Sequence, residues 1–409
     1  MAPSLASAQR SPNDGLEERA EHVAETIRRD PGAFRDPRSM AKAADCSAEG
    51  LAELFRIHYH TTPARFLEDA RLRAARKQLG DARATESTIA SALGFPSKEA
   101  LGKAFIRASG ITPATYRRLE PRKVFTINLP KGYPLPYLRR ALSRDPHTLS
   151  ERWRDATYEA ALSDRFGEAV ISLSFGTRAV DVTVSAGGPE ALCRRATALL
   201  GLGQDTAGFA QTARALGLDR LVLGRESLSI VQTASVFEGL TWSILGQQIS
   251  FPFACMLKRR LTHLAGTPLA GGLIAPPTAR QVAVLDRAAL LSLQFSRQKA
   301  DYLLSLSRAI AADEFPAEGL LEMSATRAER TLLAVRGIGP WSANYVMMRS
   351  LGLLDCLPLG DTGVTSALQA LFRLKQRPGK EQTLTLMAPF SPYRSLATTH
   401  LWAYQSPIP

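Results

Sequence analysis

Val335-Arg336-Gly337-Ile338-Gly339-Pro340-Trp341-Ser342-Ala343-Asn344-Tyr345, with Asp361 twenty residues beyond the tryptophan, decides how the rest of this chain is read. Leu332 and Leu333 end one helix, Gly337-Ile338-Gly339 makes a tight hairpin, and Pro340 stands where the next helix begins. Proline suits a first helical position because the N–H it lacks would have had no intrahelical partner. Glycine permits positive φ and lets another molecule come close to the backbone. The first N–H groups of the new helix, at the positive end of its dipole, then suit a phosphate. A G-x-G hairpin by itself reads equally well as a plain turn. Asp361 by itself, with Thr362, reads as the N-cap of a helix over Val364–Leu374. The capping and chemical roles are compatible, since a carboxylate at a helix start is held rigid and its negative charge is favoured.

Composition bounds the partner. A chain of 409 residues exceeds one compact core, so two or three domains are expected. The net charge is +13, unevenly spread: residues 1–120 carry 19 basic and 16 acidic side chains (net +3), residues 121–409 carry 32 and 22 (net +10). A polyanion is the partner this suggests, since neutralised phosphates release counterions; a generally Arg-rich proteome gives the same excess. Cys46, Cys193, Cys255 and Cys356 show no Cys-x-x-Cys spacing, which argues against zinc, an iron–sulfur cluster and a disulfide framework. His58 and His60 sit at i and i+2, which on a helix point apart, so a structural role is expected. Met1–Leu16 lacks a hydrophobic signal core and no apolar window reaches about 18 residues. The expected setting is therefore the cytoplasm, in reach of the nucleoid, with no membrane partner.

The texture changes twice along the chain. Residues 1–14 read as a disordered leader. From Leu16 to Leu119 the pattern is helical, and two stretches echo each other: Ser39-Met40-Ala41 to Thr62-Pro63, and Thr88-Ile89-Ala90 to Thr112-Pro113. Each reads as short helix, tight turn, second helix, then a Thr-Pro that starts another helix. That is the helix-turn-helix plan, whose second helix enters the major groove. Strands are expected at Val124–Pro130, Ala169–Phe175 and Ala179–Val184, followed by a helix over Pro189–Leu202. From Glu226 onward the chain is helical again. The fold class expected is mainly α with a small α+β domain. Its parts are a double helix-turn-helix domain (15–120), a small antiparallel-sheet domain (121–205) and a helical domain carrying the hairpin (206–409).

These segments resemble known families. Residues 15–120 resemble the double helix-turn-helix domain of AraC-type regulators; the second unit matches closely. The first departs from it, with Asp45 where the family favours glycine in the turn and Glu53 where a basic residue is usual. A degenerate helical domain that no longer reads sequence is the other reading. The hairpin with Pro358-Leu359-Gly360-Asp361 resembles the helix–hairpin–helix glycosylase superfamily, and more narrowly DNA-3-methyladenine glycosylase II. Three more segments carry that resemblance: Trp242–Ser250, Phe295–Tyr302 and Pro389–Trp402. It covers residues 123–404.

The resemblance implies a monofunctional enzyme that flips an alkylated purine (3-methyladenine, 7-methylguanine) out of double-stranded DNA and hydrolyses its N-glycosidic bond. It implies Asp361 as the catalytic carboxylate and Trp341, Trp402 and Tyr345 around the base, held by cation–π attraction. Gly337, Gly339, Ser342, Gln247, Gln248 and Ile249 would contact the DNA, with Gln248 or Ile249 plugging the vacated stack. Lys103 and Arg107 would contact DNA from the second recognition helix. Backbone carbonyls of Leu333, Val335 and Gly337 would hold a structural monovalent cation (Na or K); no other cofactor is implied. Trp341 stands where strand-cutting relatives place a nucleophilic lysine, so no lyase activity is expected. A monomer is expected. The competing readings are a transcriptional regulator of an alkylation response, binding operator DNA through residues 15–120, and an architectural DNA binder without catalysis.

Overall fold

The computed structural model describes residues 12–405. Over that span the chain is mainly helical with one small antiparallel sheet, as the pattern of apolar residues leads one to expect. The leader expected over residues 1–14 lies outside the described residues as far as residue 11; residues 12–14 already belong to α1 (Pro12–Arg29).

The chain divides into two compact units, one running to Leu101 with Ser324–Arg327, the other holding the remainder. The first contains α1, α2 (Pro37–Ala43), α3 (Ala48–Tyr59), α4 (Pro63–Gln78) and α5 (Glu86–Ala92). Its helix starts obey capping rules. Asp36 and Ser39 form a capping box, Thr85 and Thr88 form a second, and Thr62 caps α4 with Pro63 at the first position. The two sharp turns match. Gly94 has φ +72°, and Asp45 takes φ +49° in the corresponding turn. Asp45 therefore fills the glycine position in the left-handed conformation that aspartate tolerates. Glu53 is ion-paired with Arg56 on α3, so its charge is matched on its own helix.

The division into compact units falls inside α6 (Lys98–Ser109). The cause is local: the Asn128 N–H donates to Gly110 O at 3.0 Å, and a Cβ on Gly110 would lie 2.6 Å from the Ile127 side chain. The turn after α6 is thus fastened to Ile127 and Asn128, and α7 (Pro113–Arg117) belongs to the same unit as that turn.

The sheet contains β1 (Phe125–Asn128), β2 (Glu151–Arg154), β3 (Thr157–Asp164), β4 (Gly167–Phe175) and β5 (Ala179–Val184), in the order β1-β5-β4-β3-β2. β1, β4 and β5 fall on the expected strands. β2 and β3 were not expected. Alternation buries Ala169, Ile171 and Leu173 of β4 and Val180, Val182 and Val184 of β5. After α8 (Leu135–Ala141), helix α9 (Pro189–Leu200) packs on the sheet, fastened by the buried Arg195–Asp164 pair at 2.8 Å. Arg195 also donates to the carbonyls of Ala186 and Gly167, so the buried charge is paired and hydrogen-bonded beyond the carboxylate.

The rest is helical: α10 (Thr206–Ala215), α11 (Val236–Leu245), α12 (Phe251–Ala265), α13 (Ala279–Ala283), α14 (Arg287–Ser292), α15 (Arg297–Ala311), α16 (Ala325–Leu333), α17 (Pro340–Arg349), α18 (Thr362–Phe372), α19 (Lys380–Met387) and α20 (Arg394–Tyr404). A two-stranded ribbon of β6 (Thr267–Pro268) and β7 (Ile274–Ala275) lies between α12 and α13. One core, including Leu245, Leu257, Leu290, Ala300 and Leu303, unites α11, α12, α14 and α15.

Candidate active site

The hairpin between α16 and α17 is built as its sequence requires. Gly337 has φ +93°, and a Cβ there would lie 2.3 Å from the Tyr302 ring. Gly339 differs from expectation: its φ of −94° and ψ of −179° are extended backbone open to any residue. What Gly339 contributes is space, for nothing lies within 4 Å of where its Cβ would be. Pro340 takes the first helical position, and the first intrahelical bond runs from Ala343 N–H to Gly339 O at 2.9 Å. The N–H groups of Trp341 and Ser342 therefore have no intrahelical partner.

Two residues expected on DNA are spent inside the protein. Gln247 Nε2 donates to Gly337 O at 2.8 Å and to Ser342 Oγ at 3.2 Å, and Ser342 is buried. Ser342 Oγ is the acceptor in that bond and lies buried. The neighbours of Gln247 separate: Gln248 is exposed at φ +55°, whereas Ile249 packs against the helical core. Lys103 and Arg107 lie on an exposed face of α6.

Asp361 caps α18, its Oδ1 accepting the Val364 N–H at 2.9 Å. Both tryptophans turn their ring N–H to the same carboxylate. Trp402 Nε1 donates to Oδ1 at 2.9 Å and Trp341 Nε1 to Oδ2 at 3.2 Å. A carboxylate has about four lone-pair sites. With Oδ1 doubly occupied and Oδ2 singly so, one site on Oδ2 is left for another group. The indoles thus orient the carboxylate, a duty their expected place around the base did not include. Trp341 also stacks on Tyr345, with centroids 5.2 Å apart and planes at 18°. Gly363 was missed: a Cβ there would lie 2.9 Å from Trp402 Cδ1, so the indole needs a glycine beneath it. A glycine in the first turn of a helix was the available signal.

Tyr345 lines a cleft of about 140 Å³. The cleft lies between the sheet and α11, α12 and α17, with Trp242, Phe251 and Tyr158 among its aromatic walls. Its charged residues carry no motif and were not foreseen. Lys258 pairs with Glu238 at 2.9 Å, and Tyr158 donates to Glu151. The Arg144 guanidinium lies 4.2 Å from the Phe251 ring centre, and that of Arg349 lies 5.9 Å from Tyr345. Burial pushes the Glu151 carboxyl above its usual range, against the opposing pull of Lys258. Burial also works against the charge on Lys258, but Glu238 and Glu151 outweigh it and hold that amine above the usual lysine range.

If the indoles orient Asp361, Trp402→Phe should keep the ring packing and lose one bond. A single bond to a charged group is worth about 1.5–3 kcal/mol, so any reaction rate that depends on the orientation of Asp361 should fall roughly 10- to 100-fold with melting little changed. An unaltered rate would remove the tryptophan from this role.

Residues 241–392 match the family described as HhH-GPD superfamily base excision DNA repair protein, and residues 40–119 match a helix-turn-helix domain. The chain thus carries a segment similar to a helix-turn-helix domain ahead of one similar to the HhH-GPD base excision DNA repair superfamily. Among its relatives, the DNA-3-methyladenine glycosylase of Bacillus subtilis (strain 168) is 32% identical over 179 residues, 43% of this chain and 59% of that protein. The probable bifunctional transcriptional activator/DNA repair enzyme AlkA of Mycobacterium tuberculosis (strain ATCC 25618 / H37Rv) is 30% identical over 271 residues, 62% of this chain and 51% of that protein. The chain therefore spans under two thirds of the length of these relatives. The 3-methyladenine DNA-glycosylase from Archaeoglobus fulgidus shares the fold, with TM-score 0.61 and 21% identity over 69% of this chain and all of that one.

Proposed function

We propose that the chain is a monofunctional DNA glycosylase that hydrolyses the N-glycosidic bond of alkylated purines in duplex DNA. The observation that carries this is Asp361, held by the α18 N-terminus and by two indole N–H groups with one lone pair left over. The Trp341 and Ser342 N–H groups at the hairpin would bind a phosphate beside the damaged nucleotide. Gln248, the exposed member of the pair, would enter the stack from which that nucleotide rotates. The base would enter the cleft against Tyr345. As the bond from C1′ breaks, its electron pair leaves with the purine and cancels the positive charge that alkylation put there. Asp361 stabilises the resulting oxocarbenium ion and orients the water that adds to C1′. A cationic leaving group needs no general acid.

The lone pairs left on the carbonyls of Val335 and Gly337, each of which already accepts one bond, together with Leu333 O, would hold a sodium or potassium ion. Such an ion would add positive charge at the phosphate. Lyase chemistry would require a neutral amine. Trp341 occupies one place for it, and Lys258 in the cleft is paired with Glu238.

The test is release of 3-methyladenine and 7-methylguanine from methylated duplex. Free bases should appear while the strand stays whole until alkali cleaves the abasic sites. Duplex binding without release of any alkylated base would overturn the proposal.

The segment that matches a helix-turn-helix domain, residues 40–119, favours a second activity, since Lys103 and Arg107 are exposed on α6. We propose that it binds operator DNA. Selection of bound sequences from a random duplex pool should return one motif if it does, and none if it only adds non-specific affinity.

A further inference from the structure

The segment Phe295–Tyr302 stands out in the sequence, yet base release as proposed gives it nothing to do. Lys299, on α15, is buried, and each of its three ammonium protons goes to a backbone carbonyl. The acceptors are Ile244 O at 2.8 Å, Leu245 O at 2.9 Å and Gln247 O at 2.7 Å. These are the last carbonyls of α11 and of the turn that presents Gln248. A cation at a helix C-terminus meets both the orphan carbonyls and the dipole. Among the described residues no carboxylate forms an ion pair with it, and burial brings its pKa down to about 8. That cost of burying a charge is not one that packing alone would select.

One turn along the same helix, Tyr302 lies flat on Gly337, with its hydroxyl accepting from Gln298 at 2.7 Å. The third link is Gln247, whose carbonyl Lys299 holds and whose side-chain amide holds Gly337 O and Ser342 Oγ. Turn, hairpin and strut therefore close a ring of contacts.

We infer that Lys299, Tyr302 and Gln247 act as positioning residues that lock the Gln248 turn to the phosphate-binding hairpin, so that gripping the backbone and unstacking the nucleotide happen as one rigid motion. This rests on the reading of the chain as a protein that unstacks a nucleotide, but it concerns the coupling and not the bond cleavage. A hairpin fixed without its turn would grip DNA and leave the stack intact.

The test uses the full chain and a duplex in which a tetrahydrofuran abasic analogue is flanked by 2-aminopurine, whose fluorescence rises on unstacking. Wild type should raise the signal on binding. Gln247→Leu and Lys299→Met should bind the duplex with affinity near wild type, yet give roughly tenfold less unstacking signal. On an alkylated duplex their maximal single-turnover rate should fall by a similar factor at unchanged half-saturating protein concentration. Gln247 is half-buried, so Gln247→Leu keeps the test open if Lys299→Met does not fold. A wild-type signal from folded Gln247→Leu overturns the inference. So does a loss of affinity in proportion to the signal, which would assign Gln247 to the phosphate grip alone. Because the signal needs no bond cleavage, a wild type that unstacks but releases no base would end the glycosylase reading and leave this one standing.

Discussion

Asp361→Asn should slow release of 7-methylguanine from duplex DNA by about 10³-fold, with duplex affinity and melting temperature close to wild type. The fold should survive because asparagine is as good an N-cap as aspartate, and Val364 N–H would keep its acceptor. The chemistry should not survive, for two reasons. The charge that meets the oxocarbenium ion is gone. The amide also has one oxygen for donors that now reach two: Trp402 and Val364 on one side, Trp341 on the other. Whichever way the amide turns, an N–H group faces an N–H group. Single-turnover kinetics on a methylated duplex, with a thermal melt of the same preparation, would check both halves. A loss of less than about tenfold would move the catalytic charge elsewhere, and Glu151 in the cleft would be examined next.

Gly337→Ala should be the most damaging single change at the hairpin, costing about 2–4 kcal/mol of stability or displacing the loop. A side chain would be forced to φ +93° and driven into the Tyr302 ring at 2.3 Å. Gly339→Ala is the informative contrast. Its backbone is already extended and the space beside it is empty, so stability should change by no more than about 0.5 kcal/mol. Duplex affinity should still drop in Gly339→Ala, because the added methyl stands where a phosphate would approach the first N–H groups of α17. Denaturant unfolding and duplex titration of both variants would separate the two roles. Equal stability losses would mean that the glycines are interchangeable, which their geometry denies.

The sequence was legible wherever a local rule governs. Helix starts at Thr62 and Asp361 follow from capping, and the paired turns follow from the repeat of short helix, turn and helix. β5 was found because Ala179–Val184 alternates cleanly. β2 and β3 were not, because Glu151–Arg154 is polar and Thr157–Asp164 shows no clean alternation of apolar and polar residues. Those two strands exist through pairing with each other and with β4, which a single segment does not encode.

By itself the sequence determined that a glycine-pinched hairpin, a capping carboxylate and two tryptophans belong to one chain, behind a double helix-turn-helix domain. Those are matters of residue type and spacing, set by backbone sterics and helix-end hydrogen bonding. Only the tertiary structure decided that the tryptophans meet Asp361 by their N–H edges, that Gln247 faces inward while Gln248 faces outward, and that Lys299 holds the turn between them. These depend on which carbonyl or carboxylate from a distant segment comes within hydrogen-bond reach of a donor. Such directional contacts across 20 to 90 residues leave no periodicity in the sequence to be read.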